Sequence, residues 1–474
     1  MTRQRPTSGL ARFLPILLLS LGTGSTAGQA GGQAVAGPWH GAIEVASMTL
    51  TIRVVFTDTD GTLGATIDIP QQGAKDIALR AVSLNGPTVH FELPAGPGVA
   101  VFDGTLAGDR IAGAFTQGPA TGTFHLARGE TPPPPPKPDL PYRAEDVTFT
   151  NGPVTLAGTL TMPPGAGPFP AVVLITGSGP QNRDEELFGF KVFGVIADHL
   201  TRQGIAVLRY DDRGVGRSSG GNSDPTTEDF AADALAGLAL VAARPDIDKA
   251  RVGLLGHSEG AIAAAMAAAR STDVAFIVMM AGTATPGADV LRRQAADLAR
   301  AGGATDAQLA KILEAHGAML DAIRTGASAA EIERATQALA NAQIDALPET
   351  QRSKIPDGYV DTVVSQQLAA LQGRWMRFFI DFDPATALAK VRCPVLALFG
   401  GKDMQVPEAA NRPPLERALA AGGNTNVTVR TFPDANHLFI TAVTGSPAEY
   451  PSLEKTFVAG FLEDATAWIK RVAG

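Results

Sequence analysis

Two serines of this chain stand in the pattern Gly-x-Ser-x-Gly, which can hold a nucleophile on a sharp turn. One is Ser258, in Gly256-His257-Ser258-Glu259-Gly260; the other is Ser218, in Gly216-Arg217-Ser218-Ser219-Gly220. With 52 glycines in 474 residues such matches arise cheaply, so the setting must decide between them. A nucleophile elbow needs a strand that ends in a tight turn and passes at once into a helix. Ser258 has this setting, with "RVGLLG" before it and "AIAAAMAAAR", alanine-rich helical text, after it. The helix N-terminus there also favours a developing oxyanion. Ser218 lacks all of this. The strand text "IAVLRY" ends well before it, "DDRGVGRSSGGNSDP" is a glycine-rich loop, and Pro225 intervenes before the next helix. Ser258 is therefore the expected nucleophile, and Ser218 a loop residue.

A serine hydroxyl is a weak nucleophile at neutral pH and requires a base oriented by an acid. In an α/β-hydrolase fold the chain order is serine, acid, histidine. Of seven histidines, only His316 and His437 follow Ser258. His316 lies in the amphipathic text "ILEAHGAML", where a packing or surface role is expected, whereas His437 lies in the polar loop "FPDANHLF" after the last strand. For the acid, Asp403 stands three residues past the strand text "PVLALFG". Asp434 is its rival, although "PDAN" is turn chemistry, and Asp381 and Asp383 in "IDFDP" are further candidates. Two backbone N–H groups should hold an oxyanion: that of Glu259, next after the nucleophile, and that of Ser178 in "GSGPQNRDE", where glycines let the main chain approach closely. In "YDDRGVGRS", Asp212 and Arg213 read as a structural ion pair.

The elements that would carry these residues form two kinds of text. Residues 38–128 read as an antiparallel β-domain, a small barrel or sandwich. In "MTLTIRVVF" apolar and polar positions alternate, and the turn pairs Asp60-Gly61, Asn85-Gly86, Asp103-Gly104 and Gly108-Asp109 recur between short strands. Its His40, His90 and His125 lack ligand spacing and read as structural. Residues 129–143, with five consecutive prolines, form an extended spacer. From 144 to 474 an opening hairpin, "VTFTNGPVTLAGTLTMP", leads into continuous apolar strands separated by helices, the pattern of a parallel sheet covered on both faces. The helical text between strands falls at Lys191–Gln203, Asp229–Ala243 and Glu408–Ala421. The rhythm breaks over about residues 283–392, whose amphipathic helices, one capped by Thr305 and Asp306, read as a cap over the carboxyl edge of the sheet.

Composition sets the outer limits. A net charge of −8 leaves no basic footprint for nucleic acid. The single cysteine, Cys393, excludes an internal disulfide and a cysteine-cluster metal site, and reads as a small apolar residue on a core strand. Arg3, Arg5 and Arg12 followed by "FLPILLLSLG" and small residues read as a cleavable export signal within residues 1–36, with cleavage after Ala27, Ala30 or Ala36 and a periplasmic or secreted product. The apolar run is too short for a stable membrane anchor.

In the order "GSGPQNRD", "YDDRGVGRS", "GHSEG", "GGKDMQVP" and "ANH", the chain from about Asp146 onward resembles the α/β-hydrolase superfamily, most closely its serine aminopeptidase S33 and dienelactone-hydrolase-related branch. The resemblance implies a Ser258–Asp403–His437 triad and a cap in the insertion, and the β-domain lies outside it. The expectation is an α/β-hydrolase domain with a helical cap behind a small all-β domain. It would be a metal- and cofactor-free serine hydrolase that cleaves small-molecule carboxylic esters through an acyl-enzyme. Two alternatives stand: an aminopeptidase or other amide hydrolase, and a non-catalytic protein whose β-domain binds a glycan or lipid. The sequence names no ligand for the β-domain.

Overall fold

The computed structural model describes residues 34–473, apart from 46–47, 60, 70–73, 95–98, 118–119, 131, 133–139, 222–223, 354 and 356–357. The n-region, the h-region, Ala27 and Ala30 of the export signal lie outside the described residues, as do four of the five prolines and Asp60. The chain divides into two compact units. One comprises Met1–Pro138 with Glu349–Gln366, the other Asp139–Pro348 with Gln367–Gly474.

The first unit is built on a meander of β1 (Gly37–Val45), β2 (Met48–Thr59), β3 (Thr62–Ile69), β4 (Ala74–Ala78), β5 (Arg80–Asn85), β6 (Thr88–Pro94), β7 (Val99–Ala107), β8 (Arg110–Gln117) and β9 (Ala120–Arg128). The sheet order β4-β3-β2-β1-β9-β8-β7-β6-β5 begins and ends on neighbouring strands. Only Leu79 separates β4 from β5, so the two act as halves of one kinked stave and the sheet closes into a barrel. Trp39, Phe56, Phe91, Phe102 and Phe124 belong to its buried core, where the Phe91 and Phe102 rings stack at 4.5 Å. The pair Asp103-Gly104, expected as a turn, lies inside β7 instead. A β-carbon at Gly104 would lie 2.7 Å from the Phe124 ring, so this glycine makes room in the barrel core rather than a chain reversal. The three histidines take cross-strand or main-chain partners: His90 Nδ1 meets Asp103 Oδ1 at 2.7 Å, His40 meets the Gly129 carbonyl at 3.2 Å, and His125 lies 3.8 Å from Glu44.

The second unit opens on the expected hairpin, β10 (Arg143–Asn151) and β11 (Val154–Met162). Then follow β12 (Phe169–Ile175), a two-rung hairpin β13 (Glu186–Leu187) and β14 (Phe190–Lys191), α1 (Val192–Arg202), β15 (Ala206–Tyr210), α2 (Thr227–Ala242), β16 (Ile247–His257), α3 (Glu259–Arg270) and β17 (Ile277–Met280). An insertion of helices comes next in the chain: α4 (Gly287–Ala301), α5 (Asp306–Arg324), α6 (Ala329–Asp345), then α7 (Glu349–Arg352) and α8 (Tyr359–Leu371), whose residues up to Gln366 group with the first unit, and α9 (Arg374–Asp381) and α10 (Ala385–Leu388). The chain ends with β18 (Val395–Gly400), α11 (Glu408–Ala421), β19 (Val427–Phe432) and α12 (Phe461–Val472).

The eight-stranded sheet runs β10-β11-β15-β12-β16-β17-β18-β19, parallel from β15 onward. Residues Ala171 to Ile175 of β12 are all buried because alternate side chains feed opposite faces. Ala171, Val173 and Ile175 join α2, α3 and α11 in one core, while Val172 and Leu174 join α1 and α12 in the other. Among the insertion helices α4 packs on α5 and α9, and α5 on α6. Thr305 caps α5 through a reciprocal bond pair with Gln308. Cys393 precedes β18 rather than lying on it and is half-buried, and burial pushes its thiol up to about 11. No helix among the described residues is long and apolar enough to cross a membrane.

Candidate active site

β16 delivers the chain to Ser258 and α3 leaves it with no intervening loop. Ser258 is held at φ 53° and ψ −116°, a conformation that L-residues rarely adopt, and it is half-buried. The two motif glycines make this turn possible. A β-carbon at Gly256 would lie 2.0 Å from the Gly260 carbonyl oxygen, and one at Gly260 would lie 2.1 Å from that of Ile175. The elbow can close onto β12 only with both side chains absent.

The loop after β18 carries Asp403, and the loop after β19 carries His437. His437 Nδ1 donates to Asp403 Oδ2 at 2.8 Å, both side chains being buried. Asp403 Oδ1 accepts from the N–H groups of Gln405 (2.8 Å) and Val406 (2.9 Å). Burial alone would raise the Asp403 pKa, but His437 and these two donors outweigh it and hold the carboxyl below its ordinary value. With Nδ1 committed to an ionised acid, His437 keeps Nε2 as its basic nitrogen. Asn436 braces the loop by accepting from the N–H groups of Leu438 and Ile440.

The rival acids are placed elsewhere. Asp434 is exposed and pairs with Lys402 at 3.1 Å, Asp381 pairs with Arg324, and Asp383 caps the N–H of Ala385. His316 is buried in α5 with Nδ1 unpartnered. Ser218 is buried in the loop after β15, where its hydroxyl donates to the Asp211 carbonyl (2.8 Å) and accepts from the Ala157 N–H (2.9 Å). The expected Asp212–Arg213 pair does not form. Arg213 turns to Asp233 on α2 (2.7 Å), while Asp212 accepts from Thr176 Oγ1 and the Gln181 N–H, each bond bracing the loop after β12. Separate partners at the ends of two different elements win over a pairing of sequence neighbours.

That loop carries Ser178 past the nucleophile: a β-carbon at Gly177 would sit 3.4 Å from Ser258 Cβ. The Ser178 N–H donates to no group among the described residues. Glu259 is the first residue of α3, so its N–H stands at the helix N-terminus. Its carboxylate is buried and accepts from Thr227 Oγ1 (2.6 Å) and from the indole of Trp375 on α9 (2.7 Å), which fastens the helical insertion to the elbow.

Sequence reasoning missed two residues beside this group. Glu185 is fully buried, and its Oε1 accepts from the Gly177 N–H (2.7 Å) and meets His257 Nδ1 (2.9 Å). His257 Nε2 in turn meets the His437 carbonyl at 3.0 Å, and the two imidazole rings lie 4.8 Å apart. The only signals in the sequence were a histidine at the first variable position of the elbow motif and the acidic run after the glycine loop. The arrangement as a whole places a strained serine at a helix N-terminus beside a loop that carries an acid-oriented imidazole, and these are parts that acyl transfer can use. Neither of two cavities beside the helical insertion, of about 420 and 330 Å³, is lined by Ser258 or His437.

Residues 190–441, more than half of the chain, match the serine aminopeptidase S33 family. The chain belongs to that family. In this S33 family member the matched span contains Ser258, Asp403 and His437, while Ser178 and Glu185 precede it. Esterase EstD of Thermotoga maritima is 32% identical over 315 residues, covering 65% of this chain and 63% of EstD, so the match spans less than two thirds of that relative's length. Among solved structures, an esterase of Pyrococcus furiosus is similar at 16% identity and TM-score 0.45, covering 73% of this chain and 95% of its own. A proline iminopeptidase of Mycobacterium smegmatis is similar at 17% identity and TM-score 0.42, covering 69% and 99%.

Proposed function

We propose that this hydrolase cleaves carboxylic esters through a covalent acyl-enzyme. Ser258 Oγ attacks the ester carbonyl while His437 Nε2 takes its proton. The oxyanion is held by the N–H groups of Ser178 and Glu259, and the imidazolium by Asp403. His437 then returns the proton to the leaving alcohol, and water repeats the sequence to release the acid. The observation that carries this reading is the buried Asp403–His437 bond of 2.8 Å on a loop whose His437 carbonyl meets His257, the residue before a serine strained to φ 53°.

The choice of esters over aminoacyl amides has its own support. An aminopeptidase needs a carboxylate presented to the substrate's free amine. The carboxylates of Glu259 and Glu185, beside the elbow, are 2% and 0% exposed and each has its Oε1 engaged from within, Glu259 by Thr227 and Trp375 and Glu185 by Gly177 and His257, so neither is presented to a substrate. The named activity of EstD points the same way. The test is a panel of p-nitrophenyl esters and aminoacyl p-nitroanilides, with fluorophosphonate labelling. We expect ester turnover and labelling that both disappear in Ser258→Ala. A higher kcat/KM on the anilides would move the protein to the peptidases, and absence of labelling would make it non-catalytic.

A further inference from the structure

We propose that Glu185 and His257 form a second carboxylate–imidazole couple, which positions the oxyanion loop and the base loop against Ser258. The proposal rests on the serine-hydrolase reading above. Its first support is proton accounting. The His437 carbonyl can only accept, so His257 Nε2 must carry the hydrogen of that 3.0 Å contact. Glu185 Oε1 already accepts the Gly177 N–H at 2.7 Å, and as a carboxylate it accepts a second hydrogen from His257 Nδ1 at 2.9 Å. His257 then holds protons on both nitrogens. Burial opposes that charge, yet the adjacent Glu185 outweighs it and the imidazole pKa stands above its ordinary 6.5.

The second support is what the arrangement costs. Glu185 is fully buried at φ 45°, in the left-handed region, and its Oε2 has no hydrogen-bond partner. A strained and half-satisfied carboxylate is destabilising in itself, and such groups collect where a site needs fixed geometry. The third support is reach. One couple touches the loop after β12 at Gly177, the elbow at His257 and the loop after β19 at the His437 carbonyl. The residues next to or at those three contacts are Ser178, Ser258 and His437 itself. Glu185 and His257 touch no reacting atom, so their role is positioning: they fix where the oxyanion donor and the base stand relative to the nucleophile.

The experiment compares wild type, Ser258→Ala, Glu185→Gln, His257→Gln and the double variant Glu185→Gln/His257→Gln. The double variant leaves no unpaired buried charge, so it guards against a single variant that fails to fold. On a p-nitrophenyl ester we expect kcat to fall about 100-fold in each folded variant, with KM within about twofold. Affinity for an arylboronic acid, which mimics the tetrahedral adduct, should fall in parallel with kcat. In 15N-histidine NMR spectra at pH 7, the signal lost in His257→Gln should be a doubly protonated ring, and in Glu185→Gln it should carry a single proton. Folded variants with kcat within threefold of wild type would overturn the proposal, and so would losses of kcat, KM and melting temperature in step. In either case an active wild type and a dead Ser258→Ala leave the hydrolase reading standing. A wild type inert to ester and probe overturns both.

Discussion

At the scale of single residues, the two serines of similar motif are separated by what their hydroxyls touch. Ser218 Oγ is consumed by the Asp211 carbonyl and the Ala157 N–H, whereas Ser258 Oγ bonds to no described residue. Ser258→Ala should therefore leave only the rate due to the oxyanion donors and binding, about 10³ to 10⁴ over water in well-studied triads. Ser218→Ala should keep kcat within a few-fold and lose about 1–3 kcal/mol of stability, because two buried main-chain groups lose their partner. Ester assays and urea unfolding on the same preparations separate the two effects; a dead Ser218→Ala with an active Ser258→Ala would reverse the assignment. Asp403→Asn is a subtler probe. The amide oxygen would stay with the N–H groups of Gln405 and Val406, which turns the amide NH₂ toward His437 Nδ1. His437 would then carry its hydrogen on Nε2 and could not accept the serine proton. We expect kcat to fall about 10⁴-fold in a folded protein.

At the scale of elements, the sheet and its loops were legible because continuous apolar strands and alternating helices leave local marks. The elbow, the loop after β18 and the loop after β19 all fall where chain order puts them. The insertion was legible as helices, but its attachment to the elbow was not. The Trp375–Glu259 bond joins positions 116 residues apart, and no local pattern encodes it. Helix α5 carries a testable consequence. Burial, reinforced by Arg292, lowers His316 from its ordinary 6.5 to about 4. The folded chain thus keeps this ring neutral while the unfolded chain protonates it as pH drops below about 6.5. The contribution is fully present above that pH and is lost as pH falls toward about 4. Urea unfolding of wild type against His316→Leu should show a difference in stability that is constant above pH 7. Below it, the difference should shift against wild type by at most about 3 kcal/mol. A pH-independent difference would mean that His316 is charged or solvated in the folded state.

At the scale of the whole molecule, the barrel bears on where the mature chain begins. Val35 is fully buried, its carbonyl accepts the Trp39 indole, and the Ala34 and Ala36 carbonyls accept from Arg128. Cleavage after Ala36 would remove those contacts and the buried valine. We propose export with cleavage after Ala27 or Ala30, so that N-terminal sequencing of the exported protein reads from Gly28 or Gly31. A chain that began at Gly37, or that retained Met1, would contradict this. The barrel's stacked phenylalanines also bear on the binding-protein alternative, since its interior is occupied by its own side chains.

The sequence by itself determined the class of fold, the order of the two kinds of text, and the identities of Ser258, Asp403 and His437 as candidates. These rest on periodicity, on the strand–turn–helix context of a short motif, and on covalent order, all of which are properties of neighbouring residues. Only the tertiary structure decided which charged groups meet. Arg213 reaches Asp233 instead of adjacent Asp212, Gly104 sits inside a strand to admit Phe124, and Glu185 meets His257 across 72 residues. The physical reason is that a buried polar group takes whichever partner packing brings within hydrogen-bond distance, and that distance depends on how distant segments are stacked.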